Sequence, residues 1–170
     1  MKYERFEDLP VWRAAIELGT RVYALTAAVE FKGRASLRDQ IERAAVSVSN
    51  NIAEGFERGT TPELLTFIYI ARGSAGEVRS MCCLLERLPS FSNCKPEIAN
   101  LKSLAENIAR QLRGWADALQ NSEIKGQRYL TDKTRRASQA AREREEFLQE
   151  LRRVQEEGIA KRSRPDPTDD

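Results

Sequence analysis

The side chains able to do chemistry in this chain are few: two glutamates on neighbouring helical segments, three cysteines and a scatter of arginines. Glu54 and Glu77 could bridge metal ions between helices, as carboxylates do in two-metal helical bundles, but that arrangement also takes a Glu-x-x-His pair. The chain has no histidine. A bundle-type metal site, a His-ligated zinc centre and a Ser-His or Cys-His catalytic pair are therefore all out of reach. Cys82, Cys83 and Cys94 are odd in number and lack the C-x-x-C spacing of zinc or redox sites. They read as free, packed thiols. Gly73-Ser74-Ala75-Gly76 lies inside a helical pattern without a Walker-type lysine, which disfavours a phosphate-cradling loop. The expectation is a protein with no enzymatic activity, no cofactor and no metal.

Arginine is the remaining functional group. Arg13 and Arg21 near the N-terminus, and Arg110 and Arg113 near residue 110, fall on predicted solvent faces where a guanidinium could hold a phosphate. They are the nucleic-acid-binding candidates. Lys and Arg total 28 against 26 Asp and Glu, so the net charge of +2 is too small to declare a nucleic-acid binder from composition. Glu17, Glu106 and Asp117 lie close by in sequence, and an ordinary solvated face is the plainer reading. Repetition of a weak patch in an oligomer would still allow salt-dependent RNA or DNA binding. Trp12 and Trp115 each fall on an apolar stripe and read as core rather than as base-stacking platforms.

These groups must be positioned by helices. A chain of 170 residues with 41% hydrophobic and 32% charged residues, nine Gly and six Pro suits one helical domain with an extension. Helix 1 is expected from Asp8–Pro10 to about Val29, with Trp12, Ile16, Gly19, Tyr23 and Thr26 as its buried stripe. Ser36 and Asp39 have the spacing of a capped restart, and helix 2 follows to about Arg58, with Leu37, Ile41, Ala44, Val48, Ile52 and Phe56 on one face. Thr60 and Thr61 are equal candidates to cap helix 3 before Pro62, and Leu64, Ile68, Ala71, Ala75, Val78, Leu85 and Leu88 form its stripe. Residues 89–96 read as a loop. Helix 4 then buries Ile98, Leu101, Ile108, Leu112, Trp115 and Leu119.

The simplest packing of four such helices is an all-α, antiparallel up-down-up-down bundle over residues 3–120. Residues 121–131 read as a linker, 132–157 as an additional C-terminal helix with weak heptad character, and 158–170 as a disordered tail. The N-terminus lacks a signal-peptide core and no stretch is apolar enough to span a bilayer, so a cytoplasmic location without membrane contact is expected.

Two stretches are polar where a bundle core is expected: 44–58 on helix 2 (Ala-Ala-Val-Ser-Val-Ser-Asn-Asn-Ile-Ala-Glu-Gly-Phe-Glu-Arg) and 70–77 on helix 3 (Ile-Ala-Arg-Gly-Ser-Ala-Gly-Glu). With Phe6-Glu7-Asp8-Leu9-Pro10-Val11-Trp12 and Leu37-Arg38-Asp39-Gln40, they resemble the four-helix-bundle family of the 23S rRNA intervening-sequence proteins. The resemblance covers roughly residues 3–120. It implies a non-enzymatic bundle that assembles as a homo-oligomer, commonly a pentamer. The family is also similar to the accessory variability proteins of diversity-generating retroelements, which bind a reverse transcriptase and nucleic acid. A nucleic-acid-associated accessory factor is one expectation, and a purely structural or protein-interaction module is the other.

If helices 2 and 3 are antiparallel about residue 60, positions summing to about 120 lie side by side. Ser47 then meets Gly73, Ala44 meets Gly76, Arg43 meets Glu77, Asn51 meets Tyr69, and Arg72 falls near Ser49 and Asn50. Small residues facing small residues allow close helix packing and account for two mid-helix glycines. Gly73→Leu is expected to be disruptive on this reading. Glu54 and Arg58 are a favourable i, i+4 pair. Arg43, Ser47, Asn51, Glu54, Arg58, Arg72, Gly73, Gly76 and Glu77 are thereby read as a structural network that pins the helix register, the alternative being that Asn51, Glu54, Arg58 and Arg72 line an RNA or partner site.

Overall fold

The computed structural model describes residues 3–122, residue 140 and residues 143–153. The chain divides into two units, Met1–Arg128 and Tyr129–Asp170. The first is all-helical, with four long helices: α1 (Pro10–Thr26), α2 (Ala35–Glu57), α3 (Thr61–Leu85) and α4 (Lys95–Gln120). Short 3-10 segments at Phe6–Asp8, Val29–Phe31 and Pro89–Cys94 supply the corners. In the second unit residues 143–153 are helical, with Phe147, Leu148 and Leu151 exposed. The remainder of the expected 132–157 helix, residues 123–131 of the linker and the 158–170 tail lie outside the described residues.

The helix boundaries follow from local chemistry. Pro10 opens α1 where its missing N–H costs nothing, and Leu9 rather than Asp8 occupies the cap position. Gly33 turns the chain into α2 with φ +77°, a conformation in which a Cβ would be strained. The helix then starts directly at Ala35, and the expected Ser36 cap is not used. Thr60 caps α3: its Oγ1 accepts from the Glu63 N–H at 3.4 Å and donates to Glu63 Oε2 at 2.6 Å. That settles the choice between Thr60 and Thr61 through a side-chain N-cap.

The helices α1 and α3 each pack against α2 and α4 around a shared core. The buried faces of α2, α3 and α4 follow the expected periodicity, from Ile41 through Phe56, Leu64 through Leu85 and Ile98 through Leu112. Leu37, Leu88, Trp12, Trp115 and Leu119 sit half-buried at its margin.

Helix α1 is a correction. Its buried residues are Val11, Ala15, Leu18, Val22, Leu25 and, of the expected stripe, Thr26, whereas Ile16 and Tyr23 are exposed. Two apolar stripes run along this helix one residue, or about 100°, apart. Both satisfy helical spacing, and the aliphatic one is turned inward. Residues 89–96 differ too, because they form helical turns rather than a plain loop. Phe91 is fully buried there and meets Phe31 edge-on, with ring centroids 4.9 Å apart.

Candidate nucleic-acid interface

The polar motif of α2 and α3 lies on the outer flank of their junction. Ser47 Oγ and Ser74 Oγ are 2.9 Å apart, and Asn51 Nδ2 donates to the Ser47 carbonyl at 2.7 Å and to its Oγ at 3.0 Å. Gln40 Nε2 donates to Glu77 Oε1 at 3.1 Å. Sums of paired positions stay near 120, as expected for the antiparallel register. The individual partners differ from the expected ones. Arg43 does lie beside Glu77 in one groove, as expected, but its hydrogen bond goes to its own helix, at the Asp39 carbonyl. Tyr69 accepts from Gln120 of α4, not from Asn51. Arg58 does pair with Glu54 at 2.5 Å, and its guanidinium also lies 5.0 Å from the centre of the Phe67 ring.

The glycines reverse their expected roles. A Cβ placed on Gly73 or Gly76 would meet nothing within 4 Å, so neither glycine seats α2. Gly55 is the position of close approach, where an added Cβ would lie 2.6 Å from Phe67 Cβ. Sequence reading passed over Gly55 because it lies near the end of a helix, where a glycine also suits a helix stop.

The outer face of α3 explains the difference. Ala71, Ala75 and Val78 take the core side, and the rest divides into two flanks. Ser74 and Glu77 point towards α2. Tyr69, Arg72, Gly73, Gly76 and Arg79 instead line an open groove with Ala109 of α4, about 380 Å³ in volume. Arg72 is exposed here and lines the groove shared with α4 rather than the α2 side where it was expected near Ser49 and Asn50. The pairings Tyr69–Gln120 and Glu86–Lys102 set the α3/α4 register. In that register Arg79 lies opposite Arg110 and Gly76 opposite Arg113.

The four arginines named from sequence as phosphate contacts separate into two pairs. Arg21 is held by Glu97 through two bonds, Nε to Oε1 at 2.9 Å and Nη2 to Oε2 at 3.1 Å, with Glu17 at 3.3 Å. Those contacts raise the Arg21 pKa and hold the Glu97 carboxyl below its ordinary value. Arg13 bonds the Glu7 carbonyl at 2.7 Å and Asp8 at 3.3 Å. Both N-terminal candidates are thus engaged within the subunit, a correction to the open face expected for them. Arg113 keeps only a long contact with Asp117 at 3.7 Å. Arg72, Arg79 and Arg110 make no hydrogen bond or ion pair among the described residues.

Two guanidiniums, Arg72 and Arg79, unpaired among the described residues and beside a groove to which those residues contribute no carboxylate, form a surface suited to a polyanion. Arg79 was not singled out from sequence. The signal was present, since Tyr69, Arg72, Gly76 and Arg79 follow steps of three, four and three. A second set of grooves, along the outside of α2, is lined by Tyr23, Asp39, Gln40, Arg43, Asn50 and Glu77, among others, and carries charges of both signs.

The remaining reactive groups are quiet. Burial pushes the Cys82 thiol up to about 12 and raises that of Cys94 as well. All three cysteines are free. Among the described residues no group of three His, Cys, Asp or Glu side chains is placed to hold a metal ion, and no helix is long and apolar enough to cross a membrane.

Fold and surface together define an all-helical protein with an arginine-lined groove on one side. The chain belongs to the 23S rRNA-intervening sequence protein family, whose model matches residues 7–114. It is similar in structure to a protein of unknown function from the S23 ribosomal protein family of Bacteroides thetaiotaomicron, with 18% identity and a TM-score of 0.56. That likeness covers 62% of this chain and 97% of the other. It extends to the fold. Comparison with curated proteins gives no match.

Proposed function

We propose that this chain is a non-enzymatic, nucleic-acid-associated accessory protein that holds the phosphate backbone of RNA or DNA along the α3/α4 face. One observation carries the reading: Arg72 and Arg79 line that groove without a partner among the described residues, while Arg13, Arg21 and Arg58 are tied to carboxylates. A guanidinium left unpaired beside a carboxylate-free groove is available for charge-assisted bonds to phosphate. Membership of a family named for 23S rRNA intervening sequences agrees with an RNA partner.

The scaffold in this proposal is an up-down-up-down four-helix bundle over residues 3–120 with an additional C-terminal helix. The pairings that run in opposite directions along α2/α3 and α3/α4 support it. The bundle acts in the cytoplasm as a homo-oligomer, with a pentamer as the form that the family resemblance implies. The outward stripe of α1, where Ile16 and Tyr23 are 42% and 51% exposed, is one apolar surface available for subunit contacts. It also favours the second reading, a protein-interaction module in which this stripe rather than the arginine face is functional.

Light scattering of the purified full-length protein, alone and with mixed bacterial RNA at low and moderate salt, separates the two. A defined oligomer that gains RNA mass at low salt and releases it at moderate salt supports the accessory role. An oligomer indifferent to RNA at both salts overturns it in favour of the interaction module.

A further inference from the structure

We infer that the α3/α4 groove takes a single strand, with an unpaired base stacked on Tyr69 and the adjoining phosphates on Arg72 and Arg79. This rests on the polyanion reading above and specifies the form of the strand. Tyr69, Arg72, Gly76 and Arg79 lie on one stripe of α3 that rises about 15 Å over ten residues. Tyr69 lines the groove with them and is 43% exposed. Its hydroxyl accepts a 2.8 Å bond from Gln120 Nε2 of α4 at the end of the groove. An aromatic ring beside a track of guanidiniums is the combination that single-strand binders use, because every base has a π-face to stack.

The floor of the groove argues for the same occupant. Gly73 and Gly76 carry no side chain into it, and neither is required by packing within the subunit, since a Cβ on either would meet open space. Each mid-helix glycine weakens its helix relative to alanine, a cost that close approach of a ligand to α3 would offset. A recessed floor lets a backbone approach α3 closely. A duplex would gain little here, because its base faces are already stacked and its grooves are read by elements that project. Among the described residues no projecting element borders this groove, whose lining comes from two helices packed side by side.

The test is fluorescence anisotropy of the full-length protein with a short oligouridylate and with an RNA duplex of equal length, at low salt. Wild type is expected to bind the single strand more tightly than the duplex. Tyr69→Leu should lose about fivefold or more on the single strand and leave duplex binding unchanged, while Tyr69→Phe, which keeps the ring, stays within twofold of wild type. Circular dichroism of both variants checks that the helices are intact. Equal single-strand affinity for Tyr69→Leu and wild type, or a preference for duplex, overturns the single-strand site yet leaves the accessory role standing. Failure of wild type to bind either RNA overturns both.

Discussion

Gly55 on α2 lies directly against Phe67 on α3, so close that a Cβ on the glycine would come within 2.6 Å of Phe67 Cβ. The nearest atom belongs to the root of the phenylalanine side chain, which cannot swing aside without moving its helix. Leu64 Cδ1 at 3.2 Å closes the same space. Gly55→Ala is therefore expected to lower stability by about 1–3 kcal/mol through overpacking. Gly73→Ala and Gly76→Ala should act in the opposite direction, each adding up to about 1 kcal/mol, because the new methyl enters open space and removes a helix-weakening residue. Urea denaturation of the three variants gives the comparison. A shared sign of effect would contradict the packing described for α2 and α3.

The corner between α3 and α4 is a second place where one residue matters more than its setting implies. Phe91 is fully buried among prolines and serines, stacks edge-on with Phe31 and lies 5.3 Å beneath the Arg34 guanidinium. Truncation to alanine is expected to cost about 3–5 kcal/mol, as for other buried aromatics. Thermal unfolding of Phe91→Ala reads this directly. A melting temperature equal to that of wild type would show that residues 89–94 are a surface loop.

The Arg21–Glu97 bridge between α1 and α4 predicts a pH dependence. Bonding to Arg21 holds the Glu97 carboxyl below its ordinary value of 4.5, against the opposing effect of burial. A carboxylate whose pKa is lower in the folded state contributes stability above its unfolded value and loses it as pH falls through the folded one. Stability should therefore decline on the acid side of 4.5, and Glu97→Gln should flatten that part of the curve. Glu97 is 39% exposed, so solvent screening keeps the effect at about 1 kcal/mol or less, and added salt should shrink it. Urea midpoints measured across the acid range for both proteins check this. Parallel curves would remove the bridge as a source of acid sensitivity.

Much of the fold was legible because α2, α3 and α4 each carry one apolar stripe, so periodicity alone selects the buried side. Helix α1 carries two, and the choice between them depends on which one fits the neighbouring helices. The register of α2 against α3 was legible because the connection at Gly59 and Thr60 is short. The flank on which the α3 motif falls was not, since a rotation of one residue carries Arg72 from the α2 side to the α4 side. Phe91 offered no period to read. The arginines show the same limit: the neighbours of Arg21 along the helix are visible in sequence, but its main partner, Glu97, is brought in by folding. Arg72 is named for its motif and Arg79 is not named at all, and their shared place in a groove with Ala109 emerges only once α3 and α4 are packed.

The most direct test of the account is the salt dependence of RNA binding by wild type and by the Arg72→Ala/Arg79→Ala double variant. Each phosphate contact with a single strand contributes about 0.7 to the slope of log affinity against log salt. Wild type should bind at low salt with a steep slope, and the double variant should bind more weakly with a slope shallower by roughly 1.4 for the two lost contacts. Identical affinity and slope in the two proteins would contradict the claim that the α3/α4 face holds the phosphate backbone.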